Sequence, residues 1–501
     1  MRLRFVNLMS ILALACAGAV INLGQIAPQA MKLVRGRVVI EGAMPVQPVP
    51  KPAPLPARAA ADTLPAFLSD AEFWRMVTDF SEPDGSYPFE NFVSNERNQQ
   101  AIIPALKQAT RLGEVYIGVA PEQNFTYAAA LQAKMAFVVD IRRQNMLEHL
   151  LYKALFELSL NRVEFVSRLF SRKLPAGLDD KSTASALLAA VTAAKADADL
   201  HIETLNAIKS SFQRHGYRLW SEDLLKIEYI YQVFYRGGPG ITYEFASANS
   251  PPTGPSFTQI MNMSDDTGHN WSFLASEDTF KYVREMQAKN LIVPLVGNFA
   301  GPTAIRSIAR YLKEHNANVS AFYASNVESY LSEKEIRDFY GNLLALPVDA
   351  TTTMIRYVDL NHTPAIPWWN SSLSYLQAVS PMNDLVKLAA AGTLPAYHDV
   401  IRLIPQPAAS ANATPRFVLP LSLGPGRPFL TLAITPQAEG AFQVAVPIGT
   451  AQVGAPTGLP PSYSIKSITY GATDLMKDSM NVAVSDNNEL VITLAIVPAA
   501  R

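Results

Sequence analysis

The chain has 501 residues, 49% hydrophobic and 17% charged, enough apolar material for a large buried core and, by length, for roughly two to four domains. Its 42 basic and 43 acidic residues nearly cancel, which removes bulk charge as a reason to expect nucleic acid or an anionic surface as a partner. The one cysteine, Cys16, rules out a disulfide framework.

Arg2 and Arg4 precede an apolar run from Phe5 to Ile21 that gives way to small residues, the layout of a secretory signal. Export to the periplasm or cell envelope is the expectation, with residues 1–30 cleaved, after Ala15, Ala19 or Ala30, or kept as a membrane anchor. Cys16 follows "ALA", a resemblance to a lipoprotein box with Ala13 in the place of its leucine. Translation from Met31 would instead leave the chain in the cytoplasm. Residues 31–56 then hold one strand, "MKLVRGRVVIEG", with no neighbour to pair with, although an isolated strand cannot satisfy its own backbone. The Pro- and Ala-rich stretch around it ends in a linker, 57–66.

Residues 67–403 read as mixed α/β. A helix starts at "LSDAEFWRMVTDF", where Ser69 and Glu72 have capping-box spacing. The stretch "EVYIGV" is a buried strand by composition, "PEQNFTYAAALQA" a helix, "MAFVVDI" a second strand and "RRQNMLEHLLYKALFEL" a second helix. A helical cap is expected over 146–235. Alternation resumes with strands "LIVPLVGNF", "NVSAFYASNV" and "TTMIRYVDL" between helices, predicting a doubly wound parallel sheet. After a second linker, 404–413, residues 414–498 carry short strands rich in Val, Ile, Leu and Thr, among them "RFVLPLSL", "FLTLAITP", "GAFQVAVPIG", "SYSIKSITYG" and "ELVITLAIV".

The strand "VRGRVVIEG", with "GAFQVAVPIG" and "LPPSYSIKSITYGATDL", resembles the transthyretin-like or carboxypeptidase-regulatory-like domains of exported bacterial proteins. The resemblance implies one discontinuous β-sandwich from 31–56 and 414–498, with the α/β region inserted into a loop. It carries no catalytic residue with it.

In a doubly wound sheet the ligand sits beyond the carboxyl ends of the strands, where the first strand-to-helix turn approaches it. Here that turn is Gly118, Val119, Ala120, Pro121, Glu122, Gln123 and Asn124, and Asp140 closes the second strand about twenty residues on. Together they resemble the cofactor-binding half of class I S-adenosylmethionine-dependent methyltransferases, a Rossmann-like fold. By that resemblance Gly118, Ala120 and Asn124 would line the methionine side of the cofactor and Asp140 its ribose. Ala120 in a glycine's place, and Pro121 beside it, depart from the pattern.

Arg142 and Arg143 oppose the dipole of the next helix and are expected to pair with Asp140 or Glu148 rather than hold a phosphate. That ranks a nicotinamide dinucleotide below S-adenosylmethionine. Asn298, Asn326 and Glu328 end two later strands and are candidates to face the ligand, though asparagines also serve turns. Asp265, His269 and Trp271 form a polar loop that could reach over the pocket. The seven histidines show no metal-ligand spacing, and no nucleophile elbow or Walker loop is present. The expected function is an exported protein whose degenerate methyltransferase-like domain acts as a binding or display module for a nucleoside-like ligand. The alternative is an S-adenosylmethionine-dependent methyltransferase. No metal and no nucleic-acid partner are expected, and membrane association only through the N-terminal segment.

Overall fold

The computed structural model describes residues 31–41, 61–244, 254–265, 267–359, 375–390, 417–422, 429–434, 441–454, 456, 459 and 463–496. The expected signal segment with Cys16, the linker 404–413, and His362 and His398 lie outside the described residues. The fold is mixed: one largely parallel sheet with helices, and separate, largely antiparallel sheets. Two compact units are present, one drawn from 1–49 and 409–501, the other from 50–408.

The strand β1 (Met31–Glu41) belongs to the first unit. The second begins at α1 (Asp70–Asp79), where the Ser69 hydroxyl accepts from the Glu72 backbone and the Glu72 carboxylate accepts from Ser69, while Phe73, Met76 and Val77 are buried. A short helix, α2 (Ile103–Ala109), leads to β2 (Val115–Gly118), α3 (Gln123–Ala130), β3 (Met135–Asp140) and α4 (Arg143–Glu157). Among the described residues helices follow without a strand: α5 (Arg162–Phe170), α6 (Ala184–Ala193), α7 (Ala198–Arg214), α8 (Ser221–Gly237) and α9 (Phe257–Met261). Then come α10 (Glu277–Ala288), β4 (Ile292–Val296), α11 (Ala304–Glu314), β5 (Val319–Ser325), α12 (Glu333–Ala345), β6 (Thr353–Asp359), β7 (Tyr375–Pro381) and α13 (Met382–Ala390).

The sheet order is β4-β3-β2-β5-β6-β7. The strands β2 to β6 are parallel, and β7 runs antiparallel on the edge beside β6. Every residue of β2, β3 and β4 is buried, as a parallel sheet covered on both faces requires. The helix α4 packs on β3 and β4, so it is part of the layer over the sheet, and the helices added to the alternation start at α5. The edge strand β7 has no counterpart in the sequence reading, because "YLQAVSP" mixes polar and apolar residues without clear alternation.

In the first unit, β1 lies between β10 (Ala441–Pro447) and β15 (Leu490–Ile496), whereas β8 (Phe417–Ser422) and β9 (Phe429–Ile434) belong to the other sheet. It pairs antiparallel with β10 and parallel with β15, Gly36 facing Phe442 on one side and Leu490 on the other. A Cβ on Gly36 would fall 2.2 Å from the Phe442 ring, so a larger residue cannot pass there. The remaining strands are β11 (Gly449–Val453), β12 (Tyr463–Tyr470), β13 (Thr473–Asp474) and β14 (Met480–Val482). The two sheets, β10-β1-β15-β12-β13 and β14-β11-β8-β9, share one apolar cluster that includes Val34, Val38, Leu419, Leu421, Ile492 and Leu494.

Candidate functional site

In the α/β unit the sheet order reverses between β2 and β5, and a crevice opens at such a switch point. A cavity of about 290 Å³ lies there, lined by the carboxyl ends of β3, β4 and β5, by the turn after β2 and by the loop that precedes α2. Its size is at the lower end of small-molecule sites.

The turn 119–122 is held from inside. Asn124 Nδ2 donates to the carbonyls of Val119, Ala120 and Pro121 at 2.9, 2.8 and 2.7 Å, and its Oδ1 accepts from Tyr116 at 2.9 Å. A Cβ on Gly118 would meet Asn124 Oδ1 at 2.0 Å, so the glycine makes room for this clamp. Gly118 and Asn124 therefore build the turn and do not line the cavity, whereas Ala120 does. Ala120 has φ +65, a left-handed conformation that a glycine adopts freely and an alanine does not. His149 Nε2 lies 2.9 Å from the Ala120 carbonyl, so Nε2 carries the proton. Burial pulls the His149 pKa down to about 4 despite that bond, and the ring is neutral.

Asp140 ends β3 and lines the cavity. Its carboxylate accepts from the Arg142 backbone at 2.9 Å and from the Arg142 guanidinium at 3.2 and 3.4 Å. Arg142 also donates to the carbonyls of Phe89 and Glu90, at 2.9 and 2.5 Å. Arg143 forms a two-pronged pair with Asp223 at 2.6 and 2.7 Å. Both arginines are thus engaged by protein acceptors, and the acidic partner of Arg143 comes from α8 rather than from its own neighbourhood.

Asn298 and Asn326 line the cavity from the ends of β4 and β5. Asn298 also shapes its own turn: its Oδ1 accepts from Ala300 and its N–H donates to Glu82, both at 2.9 Å. Glu82 accepts from Thr303 and Ala304 as well, at 2.8 and 3.0 Å, which closes the start of α11. Glu328, expected to face the ligand, does not line the cavity. It is buried in an ion pair with Arg356 at 2.5 Å and accepts from Tyr340 at 2.7 Å. Asp265 is likewise satisfied locally, by Thr267, the His269 backbone and Trp271 Nε1 at 2.8 Å, and its loop lines no part of this cavity.

Two residues that were not expected to face a ligand stand in the wall: Glu96, which the sequence did not single out, and Gln123, read only as part of the turn. Glu96 is 1% exposed and lines the cavity, with Oε1 accepting from Tyr323 and Ser325, each at 2.5 Å. Burial raises its pKa, and hydrogen bonds from Ser325, Tyr323 and Gln377 offset only part of that. Gln123 also lines the cavity and donates to Tyr323 at 3.1 Å. Beneath them Glu122 is buried, accepts from the Ser94 backbone at 3.2 Å, and has its pKa pushed up by burial to about 7. Glu96 sits in "SNERNQQ", a stretch with turn composition. The signal that could have found it is the density of amide and carboxyl side chains ahead of α2 and the buried strand β2.

Among the described residues no group of three or more His, Cys, Asp or Glu could hold a metal ion, and no helix is long and apolar enough to cross a membrane. Among the described residues the cavity lining holds carboxyl groups at Glu96, Asp140 and Glu335 and one cation, Arg142, whose guanidinium is engaged by Asp140 and by the carbonyls of Phe89 and Glu90. A family model described as Domain of unknown function (DUF7790) matches residues 91–236 and 243–404, more than half of the chain. No curated protein matches the chain.

Proposed function

The chain belongs to this family, whose description assigns no activity, and we propose that its α/β unit binds a phosphate-free, adenosine-bearing small molecule after the manner of class I S-adenosylmethionine-dependent methyltransferases. The observation that carries the reading is Asp140, an acidic side chain at the end of the second parallel strand and in the wall of the switch-point cavity. An acid there accepts hydrogen bonds from ribose hydroxyls. Asn298 and Asn326 add neutral polar groups, and the acid-rich lining disfavours phosphates. S-adenosylmethionine, when bound, supplies an activated methyl group. Asp140 and the edge of the turn at Ala120 would hold it.

The apolar run after Arg2 and Arg4 supports export. An exported chain is separated from the cytoplasmic supply of this donor, so the proposed role is binding rather than turnover, with the transthyretin-like first unit as its mount. Methyl transfer is the second reading, favoured by Ala120 keeping the left-handed turn without the glycine. Calorimetry with S-adenosylmethionine, S-adenosylhomocysteine and adenosine on the purified chain tests the site. Asp140→Asn, which keeps an acceptor for Arg142, is expected to weaken binding by about 1–3 kcal/mol. No heat and no thermal shift with any of the three would refute the reading. Mass spectrometry of the native N-terminus tests export, which an intact Met1 on cytoplasmic protein would exclude.

A further inference from the structure

We propose that the switch-point cavity holds an organic onium cation, the methylated sulfonium or ammonium centre of its ligand, between Glu96 and a wall of tyrosine rings. The proposal rests on the nucleoside reading only for the sulfonium case.

The groups that face Glu96 are the hydroxyl-bearing rings of Tyr116 on β2, Tyr127 on α3 and Tyr323 on β5, together with the Glu122 carboxyl in the turn below and the Gln377 amide on β7. Among the described residues no lysine, arginine or histidine forms an ion pair with it. Its Oε2 receives no hydrogen bond of normal geometry, although Gln377 approaches the carboxyl. A carboxylate buried without a cation is strongly disfavoured. Burial thus favours its neutral form, a positive charge arriving from the cavity it lines would favour the charged one, and among the described residues no side-chain cation is paired with it.

Two further observations point the same way. Gln123 is 1% exposed, lines the cavity, and its Oε1 is a buried acceptor without a partner, which calls for a donor or a positive centre. The wall also presents Tyr87, Tyr243, Tyr323, Tyr330 and Phe299, and Tyr87 and Tyr330 meet edge to face at 5.5 Å. Ring faces attract cations, methylated ammonium above all. The Arg142 guanidinium already lies 5.4 Å from the centre of the Tyr87 ring, and its own hydrogen bonds hold it to Asp140 and the 89–90 backbone. An anionic ligand would meet acids and ring faces, with no free cation to receive it.

Two matched pairs test this on the full chain: choline against 3,3-dimethyl-1-butanol, and S-adenosylmethionine against S-adenosylhomocysteine, each pair differing chiefly by the onium charge. The expected result is a preference of about tenfold or more for the charged member of at least one pair. The pair that shows it identifies ammonium or sulfonium as the source. Binding of that member near pH 7 should release a proton from Glu96, up to about one, read by calorimetry in two buffers of different ionisation enthalpy. Glu96→Gln should abolish both the preference and the proton release. Should that variant not fold, Tyr330→Leu, at a position 54% exposed, should lower the preference by about threefold. Equal binding within both pairs, no binding in either, or a preference that survives Glu96→Gln overturns the inference. S-adenosylhomocysteine bound as well as its sulfonium partner would leave the nucleoside reading standing. A choline preference without any nucleoside binding would do the reverse.

Discussion

Two strand ends of one sheet each hold a non-glycine residue in the left-handed region, Ala120 after β2 at φ +65 and Ser325 at the end of β5 at φ +53. Such conformations cost on the order of 1 kcal/mol or more each and persist where the surroundings over-determine them. After β2 the surroundings are protein: the carbonyls of 119–121 are met by Asn124, and that of Ala120 also by His149. At β5 the Ser325 hydroxyl is tied to Glu96, a buried acid that no cation among the described residues pairs with. The strain is similar and the completeness differs. Strain by itself does not mark a site, whereas strain next to an uncompensated acid points to something that binds there.

The largest expected effect breaks the closed end. Asn124→Ala removes the Asn124 bonds to the Pro121 carbonyl and the Tyr116 hydroxyl, while the Ala120 carbonyl keeps His149 and that of Val119 keeps Gln123, and should destabilise the α/β unit by about 2–4 kcal/mol, read as a shift in urea midpoint. A loss under about 1 kcal/mol would mean that the turn is held by something other than the clamp.

A smaller effect belongs to Glu122, whose pKa is about 7 in the fold against an ordinary 4.5. Below the ordinary value both folded and unfolded chains carry the proton and no penalty exists. As pH rises from there to about 7 the unfolded chain ionises first, so stability falls, and it levels off once the folded group ionises too. Glu122→Gln should therefore raise stability by roughly 2–3 kcal/mol at pH 8 and leave it almost unchanged near pH 4. An equal gain at both pH values would assign the effect to packing instead of charge.

The finest distinction compares two glycine substitutions. Ala120→Gly relieves the left-handed strain, keeps the clamp, and should stabilise by about 1 kcal/mol. Ser325→Gly relieves the same strain but removes a hydrogen bond to Glu96, so its net effect should be about zero or negative. Thermal melts of the pair give the difference. If both stabilise equally, the Ser325–Glu96 bond contributes nothing.

How far all this could be read beforehand depended on what buried each residue. The parallel strands were legible because "EVYIGV" and "MAFVVDI" are buried on both faces and must be apolar throughout. Asp140 was legible because its place follows from where the second strand stops. The edge strand β7 was not, since Gln377 and Ser380 are buried by polar contacts that leave no alternation. Glu96 was hidden for the same reason. Its loop is folded in by hydrogen bonds, Ser94 to Glu122 and Glu96 to Tyr323, and hydrogen bonding has no period in sequence. The asparagines were read with the right residues and two roles confounded: Asn124 turned out to be a clamp, while Asn298 serves its turn and the cavity wall together.

The pairing of β1 with β15 has a temporal meaning. A nascent chain can assemble the 61–390 region while β15 is still unmade, yet β1, the first described strand to emerge, must wait for Leu490 and beyond before both its sides are covered. During that interval it offers bare backbone edges, the kind of surface that recruits other strands. Release of β15, the last described strand, completes the pairing of β1, and shortening the chain before Leu490 should leave an α/β unit that still melts cooperatively while β1 becomes the first described segment to be cut by protease.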